Sequence, residues 1–282
     1  MGWVQANFVE AIVSQTAYVD ADLNYLVNTG ERPVNYATTP PEGQQRRSGT
    51  VDPRRVRVQN ARLSSEPPTL DRNGFQLVRH ATELSDFADD EAIRSLYYAE
   101  VQALLKRVTG ASQVVIFDHT QRLGRIGHTE AKLREPATRV HNDQTFVSGP
   151  RRVRDHLPPE EAEQRLTKRH AIINVWRPVT PVETWPLAMC DAQSIDPSDL
   201  IAQDLVYADK VGETYGFQAN AAHRWSYFPV QQPDEVLLLK IFDSNTDGTA
   251  RLTAHTSFQD PTSAADAAPR RSIEVRTLVF WD

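Results

Sequence analysis

The stretch RVHNDQTF, residues 139–146, decides how the second half of this chain is interpreted. It is the first in a series of strand-like runs rich in β-branched and aromatic residues, which proline, glycine and aspartate separate. The later runs are HAIINVWRPV (170–179), PLAMCDAQSI (186–195), HRWSYFPV (223–230), EVLLLKIFDS (235–244), LTAHTSF (252–258) and SIEVRTLVFW (272–281). Seven or eight strands with helices outside them predict a mainly β fold with flanking helices, a double-stranded β-helix (jelly-roll) barrel.

Three segments carry helical patterns. In residues 86–110 the apolar positions recur at helical spacing, acidic residues gather at the start, and Gly110 ends the pattern. Residues 158–169 and 196–210 interrupt the strand-like runs, and we expect both to be helical.

The chain divides near residue 70. Residues 31–70 are rich in proline, arginine and small polar residues and show little periodicity. We therefore expect residues 1–70 to form an N-terminal extension or arm, and residues 71–282 to form a single domain. The jelly-roll core of that domain should cover about residues 111–282.

Composition excludes several classes of protein. The 282 residues carry a net charge of −6 with both signs scattered along the chain, so we expect no nucleic-acid partner. No apolar run approaches the ~20 residues that cross a bilayer, and the N-terminus lacks the pattern of a signal peptide. A single cysteine, Cys190, excludes an intrachain disulfide and a thiolate metal cluster, and it favours a cytoplasmic location. The ligands of any metal must therefore be nitrogen and oxygen.

RVHNDQTF contains an H-x-D triplet, His141 to Asp143. With 8 histidines and 37 acidic residues in 282, about one such triplet is expected by chance, so its surroundings must decide. In a strand, residues i and i+2 point to the same face, and both side chains could enter a barrel. Two histidines and one carboxylate on one face form the ligand set of non-haem Fe(II) oxygenases. The triplet at His128 opens a helical pattern, where i and i+2 diverge, so we expect it at the surface.

A third ligand must come from a later strand, and His170, His223 and His255 are the candidates. His255 lies inside a strand-like run that is followed by PRRSIEVRTLVF, residues 269–280. A bound 2-oxo dicarboxylic acid needs a fixed, bidentate guanidinium for its far carboxylate, preferably beside a hydroxyl. Arg270 with Ser272 supplies both, and Arg276, on the same face of the strand, is the alternative.

Five further residues are candidates for binding the substrate. Polar side chains lie within or beside apolar strands at Arg122, Asn174 and Arg177, where they could bind a carboxylate of the substrate or co-substrate. His223 and Trp225 could line the pocket. For all five, a hydrogen bond or packing contact that only supports the fold is the competing interpretation.

The order H-x-D, distal histidine, R-x-S resembles the Fe(II)/2-oxoglutarate-dependent oxygenases. More narrowly, residues 71–282 look like a fungal and bacterial natural-product group. This group includes gibberellin-desaturase-like proteins, relatives of the cephalosporin methoxylase accessory component, and aziridine-forming enzymes. The segments that carry the resemblance are FDHTQR (117–122), VHNDQT (140–145), INVWRPV (173–179), PLAMCD (186–191), HRWSYF (223–228), KIFDSN (240–245), HTSFQDP (255–261) and PRRSIEVRTLVF (269–280).

The resemblance implies that His141, Asp143 and His255 bind iron and that Arg270 anchors 2-oxoglutarate. It implies an oxidoreductase, a dioxygenase that uses Fe(II), 2-oxoglutarate and O₂ to abstract hydrogen from an unactivated C–H bond. The substrate would be a natural-product intermediate or an amino acid, and the outcome hydroxylation, desaturation or oxidative ring closure. Arginines near the pocket suggest a substrate that carries a carboxylate.

Two other classes of protein fit the same residues. A cupin-like metal enzyme that does not use 2-oxoglutarate would keep the three ligands but would need no buried arginine at position 270. A non-catalytic binding barrel would bind no metal, and substitution of His141 would affect only its stability.

Overall fold

A computed structural model of the protein describes residues 16–123 and 135–282. The triplet at His128 lies outside these residues. Within the part described, no helix is long and apolar enough to cross a membrane. The strands are β1 Tyr18–Leu26, β2 Val34–Tyr36, β3 Val51–Asn60, β4 Phe75–Arg79, β5 Gln113–Leu123, β6 His141–Asn142, β7 His170–Pro178, β8 Leu187–Cys190, β9 Leu200–Val206, β10 Val211–Phe217, β11 Trp225–Tyr227, β12 Glu235–Asp243, β13 His255–Ser257 and β14 Arg271–Phe280. The α-helices are α1 Leu70–Asn73, α2 Asp90–Ala92, α3 Tyr98–Thr109, α4 Ser148–His156 and α5 Pro159–Leu166.

The strands form two sheets. The larger sheet has nine strands in the order β1-β3-β11-β8-β13-β6-β10-β9-β2, and the smaller has five in the order β4-β12-β7-β14-β5. Apolar side chains from both sheets meet between them: Ile172, Trp176, Leu187, Met189, Leu237, Leu239, Leu278 and Phe280. These alternate along their strands with residues that face the other way, so the space between the sheets is the interior of the jelly-roll.

The outer face of the smaller sheet is covered by a helical segment. The segment starts with acidic residues, and the side chain of Asp89 accepts hydrogen bonds from the first backbone N–H groups. It ends at Gly110, which adopts the left-handed backbone conformation. Ile93–Tyr97, between α2 and α3, is a π-helical stretch. The segment buries Val101 and Leu105 against residues of β7 and β12 that point away from the interior.

The N-terminal strands extend the larger sheet at both of its edges. β1 pairs with β3, and β3 pairs in parallel with β11, so residues 18–60 contribute three strands to the larger sheet. Along β1, Ala21, Leu23 and Tyr25 are buried in the same apolar cluster as Trp225. The division of the chain at residue 70 into an arm and a single domain stays a prediction about folding units.

Most of the predicted architecture is confirmed. The fold is mainly β with flanking helices and forms a jelly-roll, and helices occur within residues 86–110 and 158–169. The helix expected at residues 196–210 is wrong. Asp196 caps a short 3₁₀ turn, Pro197–Asp199, and the chain then enters β9, which forms a hairpin with β10. The proline and acidic residues that suggested a helix start belong to that turn.

Candidate metal centre and co-substrate site

The two histidines of the predicted triad lie on neighbouring short strands of the larger sheet. His255 of β13 pairs directly with His141 of β6, and their ring centroids lie 4.4 Å apart. His255 also pairs with Met189, which faces the interior. Directly paired residues share a face of a sheet, so both imidazoles point into the space between the sheets.

Asp143 completes a group of three possible metal ligands. One donor atom from each of His141, Asp143 and His255 lies within 4.8 Å of the others. The strand predicted around them is shorter than expected, because β6 ends at Asn142 and the chain then bends. The Asn142 amide donates to the carbonyls of Gln144 and Ile241, which fixes this bend against the smaller sheet. Asp143 is therefore positioned by the bend as well as by its spacing from His141.

Both histidines present the same ring nitrogen to the centre of the group. Nδ1 of His141 lies 2.8 Å from the carbonyl of Arg139, and Nδ1 of His255 lies 3.4 Å from that of Thr253. A ring N–H that faces a backbone carbonyl leaves Nε2 free as a ligand and fixes the orientation of the imidazole. Two Nε2 atoms and one carboxylate oxygen on one side of a metal leave its remaining positions open.

The electrostatics of the group suit a divalent cation. Burial lowers the pKa of His255 to about 3, and the nearby His141 adds to this shift, so the imidazole is neutral at ordinary pH. Burial alone would raise the pKa of Asp143. The hydrogen bond with His141 and the charge of Arg276 instead hold it well below its usual range. Asp143 and His255 are therefore in the protonation states that a metal requires.

Arg270 is buried in the interior, beside the strand that carries His255. Its side chain is 1 % exposed, and Nη1 donates to the carbonyl of Trp185 and, over 2.9 Å, to Oγ of Ser257. Nε, Nη2 and the hydroxyl of Ser272 are buried without a partner among the residues described. Burial lowers the pKa of Arg270 to about 9, and the positive charge of Arg122 adds to this shift. These unsatisfied donors fit a bound carboxylate, because an anion would supply both acceptors and counter-charge.

Arg276, the alternative anchor, is engaged by the protein itself. Its guanidinium forms ion pairs with Asp118, Asp143 and Glu274. Burial would lower its pKa, but these carboxylates raise the pKa above the ordinary value for arginine. Its nitrogens are therefore less available to a co-substrate than those of Arg270.

Two of the five predicted substrate residues face the interior. Arg122 lies opposite Ser272 in the pairing of β5 with β14, and its charge contributes to the lowered pKa of His255. Asn174 of β7 donates to Asp143 and Glu274, so its amide is committed to carboxylates of the protein.

The other three lie away from the triad. Arg177 is on the helix-covered face of the smaller sheet, where it contacts Tyr97 and His80. His223 and Trp225 lie on the outer face of the larger sheet, and both form hydrogen bonds to the Tyr25 hydroxyl. A substrate role for these three stays a prediction that this geometry does not support. The alternative ligand His170 is also remote, in contact with Phe242 and the carbonyl of Lys168.

A cavity of about 300 Å³ opens onto His141 and Asp143. Its walls come from several elements: Asn35, Arg47, Phe117, Thr120, Arg139, Arg152, Gln203, Leu205, Tyr207 and Thr214. Sequence reasoning missed Arg139, although the signal was present, since a residue two before a ligand in an extended segment points to the same side. It also missed Asn35 and Arg47, because nothing local brings the N-terminal residues to this opening.

Comparison with known proteins identifies relatives of this chain. A family model described as "Oxidoreductase/YMDC permease-like domain" matches residues 23–280. The hydroxylase/desaturase CTB9 of Cercospora beticola is 36% identical over 94% of this chain and 87% of its own length. The Fe(II)/2-oxoglutarate-dependent dioxygenase nvfI of Aspergillus novofumigatus is 35% identical over 87% of this chain and 90% of its own length.

The chain belongs to the Fe(II)/2-oxoglutarate-dependent oxygenases. A solved structure of the iron and alpha-ketoglutarate-dependent endoperoxidase NvfI superposes with a TM-score of 0.84 at 32% identity, over 94% of this chain and 98% of that one. The predicted membership of the natural-product group of this family is confirmed. This oxygenase is therefore an oxidoreductase that uses Fe(II), 2-oxoglutarate and O₂ to oxidise a small molecule.

Proposed function

We propose that this oxygenase binds Fe(II) through His141, Asp143 and His255, and 2-oxoglutarate through Arg270 and Ser272. The observation that carries the proposal is the set of unsatisfied buried donors on Arg270 and Ser272, inside the same interior as the triad. Ser257, which holds Arg270, follows His255 by two residues on β13. A two-residue step along a strand is ~7 Å, which suits a short dicarboxylate that spans the iron and the guanidinium.

Each residue has a separate task in this chemistry. Bound Fe(II) supplies activation of O₂ coupled to decarboxylation of 2-oxoglutarate, which provides the oxidising power for attack on a C–H bond. The triad confines the protein ligands to one side, so the co-substrate can chelate on the other. Arg270 and Ser272 fix the far carboxylate and thereby the orientation of the keto acid. Trp176 and Met189 line the apolar interior and exclude water.

The first test is anaerobic addition of Fe(II) and 2-oxoglutarate to the purified protein, with the visible charge-transfer band of the chelated keto acid as the readout. The wild type should show the band, and His255→Ala should bind no iron at the triad. Arg270→Ala should keep iron but require more 2-oxoglutarate, whereas Arg271→Ala, on the exposed side of β14, should match the wild type. Iron binding without a band would favour the cupin-like alternative, and absence of iron binding would overturn the proposal.

We propose further that the substrate carries an anionic group such as a carboxylate. Arg139 and Arg47 line the opening to His141 and Asp143. Arg139 donates to the carbonyl of Ser48, and the charge of Glu135 acts on Arg47. Arg152, in the same wall, is engaged by Asp155. Phe117 and Leu205 offer an apolar surface beside these charges. An amphiphilic acid would place its carboxylate on the arginines and its apolar body on this surface.

The substrate proposal can be tested with natural-product acids and their methyl esters, scored by succinate release. Acids should stimulate 2-oxoglutarate turnover more than their esters. Arg139→Ala should weaken the apparent affinity for an acid about 10–100-fold, as expected for loss of a charged hydrogen bond, without changing iron binding. Arg55→Ala, on the exposed side of β3, is the control. Equal turnover of acids and esters would exclude recognition of a carboxylate.

The cytoplasmic location is also a proposal. It is supported by the single cysteine in the sequence. Cys190 is buried, and burial raises the pKa of its thiol to about 12. A protein without disulfides suits a reducing compartment. Fractionation of cells with an antibody against the protein would test the location.

A further inference from the structure

The two carboxylate oxygens of Asp143 have different surroundings. Oδ1 lies 3.5 Å from Nε2 of His141, on the side where the metal ligands converge. Oδ2 points towards the smaller sheet, where it accepts hydrogen bonds from Nδ2 of Asn174 over 2.8 Å and from Nε of Arg276 over 3.3 Å. One oxygen is thus surrounded by donors, while the other faces the site.

The two donors are themselves held in place. Glu274 accepts from Nδ2 of Asn174 over 3.2 Å and from Nη2 of Arg276 over 2.9 Å. The remaining nitrogen of Arg276 donates to Asp118 and Thr120. Because Asn174 faces two carboxylates, its amide must turn the NH₂ group towards them.

These residues belong to a rigid part of the molecule. Asn174 and Arg276 are directly paired residues of β7 and β14, and Glu274 precedes Arg276 by two positions on the same face. β7 and β14 are inner strands of the smaller sheet, with partners on both sides. Asp143, in contrast, follows a strand of only two residues in the other sheet. Its position therefore depends on what holds it from across the interior.

A carboxylate that binds a metal through both oxygens occupies two coordination positions. Donors on one oxygen use its lone pairs and leave the other oxygen to bind alone. A centre that must also accept a chelating keto acid and O₂ needs the coordination position that the second carboxylate oxygen would otherwise occupy.

We propose that Asn174, Arg276 and Glu274 form a carboxylate clamp that holds Oδ2 of Asp143 and presents Oδ1 alone to the metal. This inference rests on the proposed triad. The three are positioning residues, since they act on the metal through Asp143.

The test uses the metal-free protein and Co(II), whose visible absorption reports the number and geometry of its ligands. In Asn174→Ala, the affinity for Co(II) should fall about 10–100-fold, as is typical when a hydrogen-bond partner of a metal ligand is lost. At saturating Co(II) the spectrum should also differ from that of the wild type, because Asp143 is free to rotate and bind through both oxygens. Arg276→Gln should act in the same direction, which provides a second variant if the first does not fold.

The matched control is Asn245→Ala. The Asn245 amide also donates to a carboxylate, that of Asp247, but this exposed pair is not part of the clamp, so its loss should leave the Co(II) affinity and spectrum unchanged. If Asn174→Ala lowers the unfolding midpoint of the metal-free protein but changes neither affinity nor spectrum, the clamp is overturned and Asn174 is only structural. If the wild type itself binds no Co(II), the triad fails as well, and the two failures are thereby distinguished.

Discussion

Arg270 donates a hydrogen bond of 2.9 Å to Oγ of Ser257, two residues after His255 on β13. The proposed co-substrate anchor is thus tied to the strand that carries a proposed iron ligand. This contact uses only Nη1 and leaves Nε and Nη2 directed elsewhere in the interior. The position of a keto acid bound between the iron and Arg270 therefore depends on this buried hydrogen bond between Arg270 and Ser257.

Arg270→Lys should raise the concentration of 2-oxoglutarate needed for half-saturation by about 10–100-fold, because lysine cannot offer two parallel donors to a carboxylate. Iron affinity should not change. Titration of the charge-transfer band measures both quantities. Arg271→Lys, at the exposed first residue of β14 that directly follows Arg270, is the control. Wild-type 2-oxoglutarate affinity in Arg270→Lys would show that the guanidinium is not the anchor.

Tyr25→Phe should destabilise the fold without affecting the metal. The hydroxyl accepts from Nε1 of Trp225 over 2.7 Å and contacts Nδ1 of His223 over 3.0 Å. Its removal leaves a buried indole N–H unsatisfied, which costs about 1–3 kcal/mol. Urea unfolding measures the loss, and Tyr18→Phe, on the exposed side of the same strand, should have little effect. Unchanged stability in Tyr25→Phe would mean that β1 is not coupled to the sheet through this contact.

Acid should destabilise the metal-free protein already below neutral pH. Burial lowers the pKa of six histidines below the ordinary value of 6.5: His80, His119, His156, His170, His223 and His255. Below that value the unfolded chain takes up protons that the folded chain does not, so stability falls as pH falls. The thermal unfolding midpoint should therefore drop between about pH 7.5 and pH 5.5.

A substitution of one histidine tests whether histidine protonation causes this loss of stability in acid. His223 is buried against Asp199, and His223→Gln removes its titration while it keeps a polar side chain. The variant should be less stable than the wild type at neutral pH but should lose less stability on acidification. A midpoint that stays constant or rises on acidification of the wild type would contradict the pKa shifts.

Gly149→Ala should destabilise the protein by about 1–3 kcal/mol, the range for added volume in a packed core. A Cβ atom at this position of α4 would lie 2.6 Å from the ring of Phe242, which is buried between the sheets. Arg151→Ala, in the same helix but exposed, measures the gain in helix propensity alone. Equal urea midpoints for Gly149→Ala and the wild type would show that this contact is not tight.

Sequence patterns predict the elements of this fold where the signal is local and periodic. The helix that ends at Gly110 and the strand at residues 271–280 follow from apolar spacing and end signals. The strand at residues 200–206 was mistaken for a helix, because the proline and acidic residues before it also open helices. Its strand conformation depends on the hairpin with β10, a partner that no local pattern reveals.

The residues of the candidate site likewise divide into those that a local sequence motif predicts and those that only the tertiary structure reveals. The spacing of His141 and Asp143 and the order of His255 and Arg270 can be read from the sequence, because each is a short motif in β sequence. The choice between Arg270 and Arg276 could not be made, since it depends on which guanidinium finds carboxylates within the protein. The position of Arg139 and Arg47 at the opening could be identified only from the tertiary structure, because it depends on how distant segments pack together.

The opening above His141 and Asp143 is assembled from separate parts of the chain. Asn35 and Arg47 come from the N-terminal strands and the loop between them, whereas the proposed metal ligands and Arg270 come from much later segments of the sequence. We expect substitutions of Asn35 and Arg47 to alter which molecule enters without changing iron or co-substrate binding. Substrate choice could therefore change during evolution while the residues proposed for the oxidative chemistry stay the same. This arrangement suits a family whose members carry names as different as desaturase and endoperoxidase.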